Sequence, residues 1–170
     1  MIPTLKFDHD DAQRASDEWG CNCGPSALAA ILGRRLDEVR EACEAVQFTE
    51  RGYMSPTMMR MAIAKLGAKI VFARVKPGLQ WESGNTFAKH GLVRIQWGGP
   101  WIIDGKAARW ASCQTHWIAT CWSDNELSVF DINGGLMHYD HWLAEVVPAI
   151  IKSIKRADGK WYAANSWEIE

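Results

Sequence analysis

The chain has 170 residues, 48% of them hydrophobic and 23% charged, and a net charge of −1 with both signs spread along it. That length suits a single domain able to bury a core without a metal or a disulfide framework. The charge balance argues against general nucleic-acid binding and against a polybasic membrane anchor, and no apolar run approaches the length of a membrane span.

The opening stretch, MIPTLKFDHDD, is acidic and has no apolar run, so it is not a signal peptide and the chain reads as cytoplasmic. There the five cysteines (Cys21, Cys23, Cys43, Cys113 and Cys121) stay reduced, and their spacing is not that of a disulfide scaffold. Residues 1–18 read as a polar, irregular arm on one domain spanning 1–170. Pro25 to Leu32 reads as a helix, with proline in its first turn and Gly33 as its stop. PSALAAIL is small or apolar nearly all round, which implies burial against a sheet. A second helix is expected over Leu36–Val46, and a third from the Ser55-Pro56 cap to about Gly67. Strands follow at Lys69–Val75, Leu92–Trp97, His116–Trp122 and Leu127–Ile132. Gly98–Gln114 reads as a long loop rich in glycine and tryptophan. Asp140–Ile154 reads as a helix kinked at Pro148, and Trp161–Ile169 as a last strand. Helices first and strands later predict an α+β fold: an N-terminal helical layer, with a buried central helix, on a mostly antiparallel sheet.

Cys23 stands at the mouth of the central helix. The first turn of a helix has unpaired N–H groups and the positive end of the peptide dipoles, which together favour a thiolate. The same N–H groups suit an oxyanion formed when that thiolate attacks a carbonyl. Cys21 lacks this position. A nucleophilic cysteine needs a histidine and a group to orient it. His116 opens the strand HWIATCW, SDNE reads as a turn, and LSVFDI returns. A two-residue turn at Asp124-Asn125 sets Ile118 opposite Asp131, which makes Asp131 the diagonal neighbour of His116 on one face, roughly 7–8 Å between backbones. His9, His90, His138 and His141 read as surface or packing residues.

CGPSALAAIL, HWIATCW and VFDING, in that order, resemble papain-like cysteine peptidases. The likeness is nearest to the bacteriocin leader peptidases of export transporters and their relatives, phage proteins among them. YMSPTMMRMAIAKLGAKIVFARV and YDHWLAEVV also resemble segments of that family, so the likeness covers about residues 19–147. The resemblance implies a papain-like fold, a Cys23–His116–Asp131 triad, no cofactor, no metal, and a peptide or protein substrate as partner. It departs from the family where an oxyanion-hole glutamine is expected six residues before the nucleophile, since Asp17 stands there. Gln13 or Asn22 is left to supply the amide. ANSW at Ala164–Trp167 resembles the asparagine motif of papain itself but lies beyond the last helix and is set aside.

The ten tryptophans admit two roles, packing or an aromatic groove. Trp19, Trp101, Trp110 and Trp117 are the groove candidates. The leading expectation is a cysteine hydrolase, with a deamidase or acyltransferase open on the same site. Two further classes stand beside it: an inactive binding module on the same fold, and a zinc site made by Cys21, Cys23, Cys113 and His116.

Overall fold

The structure is a computed structural model that describes residues 4–75, 87–99, 101 and 114–170. The chain folds as α+β, with a six-stranded antiparallel sheet between helical layers.

The first departure from expectation is at the N-terminus. Residues His9–Trp19 form a helix, α1, where an irregular arm was expected. Asp8 and Asp11 cap it reciprocally: the Asp11 N–H donates to Asp8 Oδ1 at 2.9 Å and the Asp8 N–H to Asp11 Oδ2 at 3.1 Å. Its apolar side is only Ala12, Ala15 and Trp19, a stripe thin enough to be hidden by the surrounding charge. Gly20, at φ 72°, ends the helix in the left-handed conformation.

The central helix α2 spans Cys23–Leu32 and begins two residues before Pro25. Asn22 is its N-cap, and Gly33 closes it at φ 58°. From Gly24 to Ile31 every residue is buried. Helix α3 follows at Leu36–Glu44, a single turn α4 at Phe48–Arg51, and α5 at Pro56–Lys65. The Ser55 hydroxyl accepts the Met58 N–H at 3.2 Å, as the Ser-Pro signal predicts.

The strands are β1 (Ile70–Val75), β2 (His90–Trp97), β3 (Thr115–Ser123), β4 (Glu126–Asp131), β5 (Gly135–His138) and β6 (Trp161–Ile169), in the order β1-β6-β2-β3-β4-β5. The last strand thus enters the sheet between β1 and β2, pairing antiparallel with both. The β3–β4 hairpin has the expected two-residue turn. Asp124 and Asn125 both have positive φ, at 52° and 64°, and Ser123 pairs with Glu126. Most of the Gly98–Gln114 loop, Trp110 and Cys113 included, lies outside the described residues.

Alternation along the strands divides the core in two. Leu92, Trp117, Ala119, Phe130 and Trp167 face α1, α2, α3 and α5. Val93, Ile95, Ile118 and Val129 face the C-terminal helical segment through Trp142, Val146 and Val147. That segment runs through α6 (Tyr139–His141), a π-helical stretch (Trp142–Val146) and α7 (Val147–Ser153). The Pro148 kink is thereby replaced by a wider turn just upstream, where the Val147 N–H reaches back to the Trp142 carbonyl. Among the described residues no helix is long and apolar enough to cross a membrane.

Candidate active site

Cys23, His116 and Asp131 come together at one end of the sheet. Asp131 is fully buried, His116 is 7% exposed and Cys23 is half-buried. The hairpin register brings the last two together. The ladder runs from Ser123↔Glu126 to Ala119↔Phe130, so the next opposed position is Ile118 with Asp131, and His116 lies diagonally across. Its Nε2 is 2.8 Å from Asp131 Oδ1. The carboxylate therefore holds the Nε2–H tautomer and leaves Nδ1 for the sulfur.

Helix α2 lies on the other face of the sheet, and its first residue carries the thiol to the end of β3. The Trp122 N–H donates to the Lys89 carbonyl on the β2 side. By alternation the Trp117 N–H points to the β4 side, where the ladder has already ended. There it acts on the Cys23 thiol, lowering its pKa. The His116 imidazole, in the same cleft, acts on the thiol in the same direction. Gly24 is needed for this approach, because a Cβ there would stand 2.6 Å from the Met54 Cβ. Met54 in turn accepts the indole N–H of Trp117 through its carbonyl at 2.8 Å, tying the helix entrance to β3.

The electrostatics follow from these contacts. Burial opposes ionisation of the Cys23 thiol, but the His116 charge, its hydrogen bond and the Trp117 N–H outweigh it, and the pKa falls. Burial likewise opposes charge on His116. The thiolate and Asp131 on either side of the ring overcome that, and the imidazole pKa rises well above its ordinary value. Asp131 is held below the usual carboxylate range: burial works against its charge, while His116, the Trp142 indole and the Asn133 N–H favour it. All three shifts favour a thiolate–imidazolium pair backed by a carboxylate. Cys21 and Cys43 behave oppositely, since burial pushes their thiols up to about 11 and about 12.

Two residues hold Asp131 in ways the sequence did not specify. The Trp142 indole donates to Oδ2 at 2.8 Å, and the Asn133 N–H and carboxamide both donate to Oδ1, at 2.9 and 3.0 Å. Every lone-pair direction of the carboxylate is thus occupied or shielded. Trp142→Phe keeps the packing but removes one charge-assisted donor. It is expected to cost about 1.5–3 kcal/mol in urea denaturation. Trp97 packs at a tilt against the His116 ring, with centroids 6.3 Å apart.

The two oxyanion candidates separate. Asn22 is engaged at both ends of its carboxamide, accepting the Gly24 N–H at 3.2 Å and donating to the Gly52 carbonyl at 3.2 Å. Gln13 is exposed and donates to Asp17 Oδ1 at 2.9 Å across one turn of α1. Both line, with Cys23 and His116, a cleft of about 390 Å³. The Cys23 N–H opens α2 and has no acceptor within its own helix.

The expected aromatic groove is corrected. Trp19 is buried against Phe48, and its ring lies beneath Arg40. Trp117 is buried against Trp167. Trp101 folds back, donating its indole N–H to the Trp97 carbonyl at 2.7 Å with Arg156 over its ring. None of these three lines the cleft around Cys23. Trp110 lies outside the described residues. Of the zinc candidates, Cys21 Sγ sits 3.4 Å from the Ser26 hydroxyl, and Cys113 lies outside the described residues. Among the described residues no three His, Cys, Asp or Glu side chains converge as a metal set. ANSW lies within β6 as part of the sheet.

No family model matches this chain, and neither the curated proteins nor the solved structures searched contain a match to it.

Proposed function

We propose that the chain is a cysteine hydrolase of papain-like type, cleaving an amide bond in a peptide or protein. The observation that carries this reading is the order thiol, imidazole, carboxylate: Cys23 and His116 line one cleft, and His116 Nε2 is 2.8 Å from Asp131 Oδ1. The Cys23 thiolate attacks the carbonyl carbon. The resulting oxyanion takes hydrogen bonds from the Cys23 N–H and from the Gln13 carboxamide, which exchanges Asp17 for it by rotating an exposed side chain. The C–N bond breaks, and His116 gives its proton to the departing amine, leaving a thioester on Cys23. Neutral His116 then takes a proton from water as that water attacks the acyl carbon. The C–S bond breaks, the carboxylic acid leaves, and the thiolate–imidazolium pair returns. An amide or isopeptide bond, a side-chain carboxamide, or an amine acceptor in place of water all fit this sequence.

One observation favours a second reading, an inactive binding module on the same fold. The amide of Gln13, the oxyanion candidate that is not engaged as a helix cap, is turned to Asp17. Digestion of a denatured proteome, compared between wild type and Cys23→Ala, separates the two. A hydrolase gives new peptide termini that the variant lacks, and an inactive module gives identical digests.

A further inference from the structure

The cleft around Cys23 does not end at the reacting atoms. It continues into a second groove of about 320 Å³, and the two share His9 and Ala12 on one wall and Ile132 and Asn133 on the other. The walls are the N-terminal half of α1 and the turn that joins β4 to β5. Toward Cys23 the lining is polar, with Gln13, Ser16 and Asn133. Away from it the lining becomes apolar, with Leu5, Phe7 and Phe130. Phe7 and Phe130 meet edge to face at 5.5 Å, and both are buried, which makes a rigid floor. Asp8, at the rim, is already committed to capping α1.

The position of this groove tells which half of a substrate it meets. Ile132 and Asn133 directly follow Asp131, and Asn133 donates twice to the carboxylate that holds His116. The groove therefore opens on the imidazole side of the sulfur. The imidazolium can protonate a leaving nitrogen only when that nitrogen lies beside it, so the amine half of the substrate departs along this side.

We propose that the groove is a binding site for the amine half of the substrate, selecting peptides that carry an apolar side chain in the first or second residue after the scissile bond. The inference rests on the hydrolase reading and deepens it. A site that holds the departing amine also holds an incoming one. After thioester formation, an amine bound there attacks the acyl carbon and passes its proton to neutral His116. The N–C bond forms, the C–S bond breaks, and Cys23 leaves as the thiolate, so the groove also sets the choice of acyl acceptor.

The test is partitioning of an acyl-enzyme formed from a p-nitrophenyl ester. Glycylglycinamide, leucylglycinamide and glycylleucinamide are offered as competing acceptors, and amide product is compared with hydrolysis. One of the two leucine-bearing amides is expected to divert the acyl group about tenfold more effectively than glycylglycinamide, the scale of one apolar side chain in a fitted pocket. Leu5→Ala and Ile132→Ser are each expected to reduce that preference, and the wild-type ratio alone decides the matter if either variant fails to fold. Equal partitioning of the three amides from an acyl-enzyme that does form overturns the groove and leaves the hydrolase standing. If no ester acylates Cys23, the hydrolase reading falls and the groove assignment falls with it.

Discussion

Replacing Asp131 with alanine is expected to cost about 3–5 kcal/mol of stability, the largest loss from any single change at the site. The deletion leaves a buried imidazolium without its partner and strands the Trp142 indole and the Asn133 N–H without their acceptor. The loss depends on pH in a direction set by both partners. The folded-state pKa of Asp131 is depressed, so its share is present above the unfolded value near 3.8 and is lost as the pH falls through the folded value. The folded-state pKa of His116 is raised, so its share is full below the unfolded value of 6.5 and is lost as the pH rises through the folded value of about 10. The gap between wild type and Asp131→Ala is therefore widest between about pH 4 and 6.5. Urea denaturation at three pH values checks this. A gap of constant size from pH 4 to 10 contradicts the assigned pairing.

The second large effect is on turnover. His116→Ala removes the acid, the base and the charge that keeps Cys23 ionised, and is expected to lower hydrolysis by about 10⁴-fold or more, as loss of the base does in other triads. In the wild type, the rate should rise with pH as Cys23 ionises and fall only as the His116 imidazolium is lost. The alkaline limb then lies above the ordinary histidine range, because that pKa is raised. An alkaline limb near pH 6.5 places the imidazolium away from the thiolate. Steady-state rates across pH, on whichever peptide the proteome digest yields, give the measurement.

What could be read from the sequence follows from how far each signal reaches along the chain. The central helix was legible because its first-turn proline, its small apolar residues and its closing glycine are contiguous. The meeting of His116 and Asp131 was legible because one two-residue turn fixes the register of everything beyond it. Helix α1 was not, because its buried stripe is two alanines and a tryptophan within a run of charge, although Asp8 and Asp11 are spaced as a reciprocal cap. The tryptophans misled for a different reason. An indole serves a core as well as a groove, and only tertiary packing decides; Trp19 and Trp117 went to the core. Trp142 is the sharpest case: eleven residues from Asp131 and brought to it by a π-helical turn that local pattern does not announce. The demand for glycine at position 24 was not legible, because it comes from Met54, thirty residues on.

The central claim is that His116 holds the Cys23 thiol pKa below its ordinary value. Iodoacetamide labelling across a pH series, mapped by mass spectrometry, tests it with Cys21 and Cys43 as internal references. Cys23 should react already at pH values under the ordinary thiol value of about 8.5, while the two buried thiols stay unlabelled in the folded protein. Labelling of Cys23 that begins only above about pH 8.5 would contradict the claim.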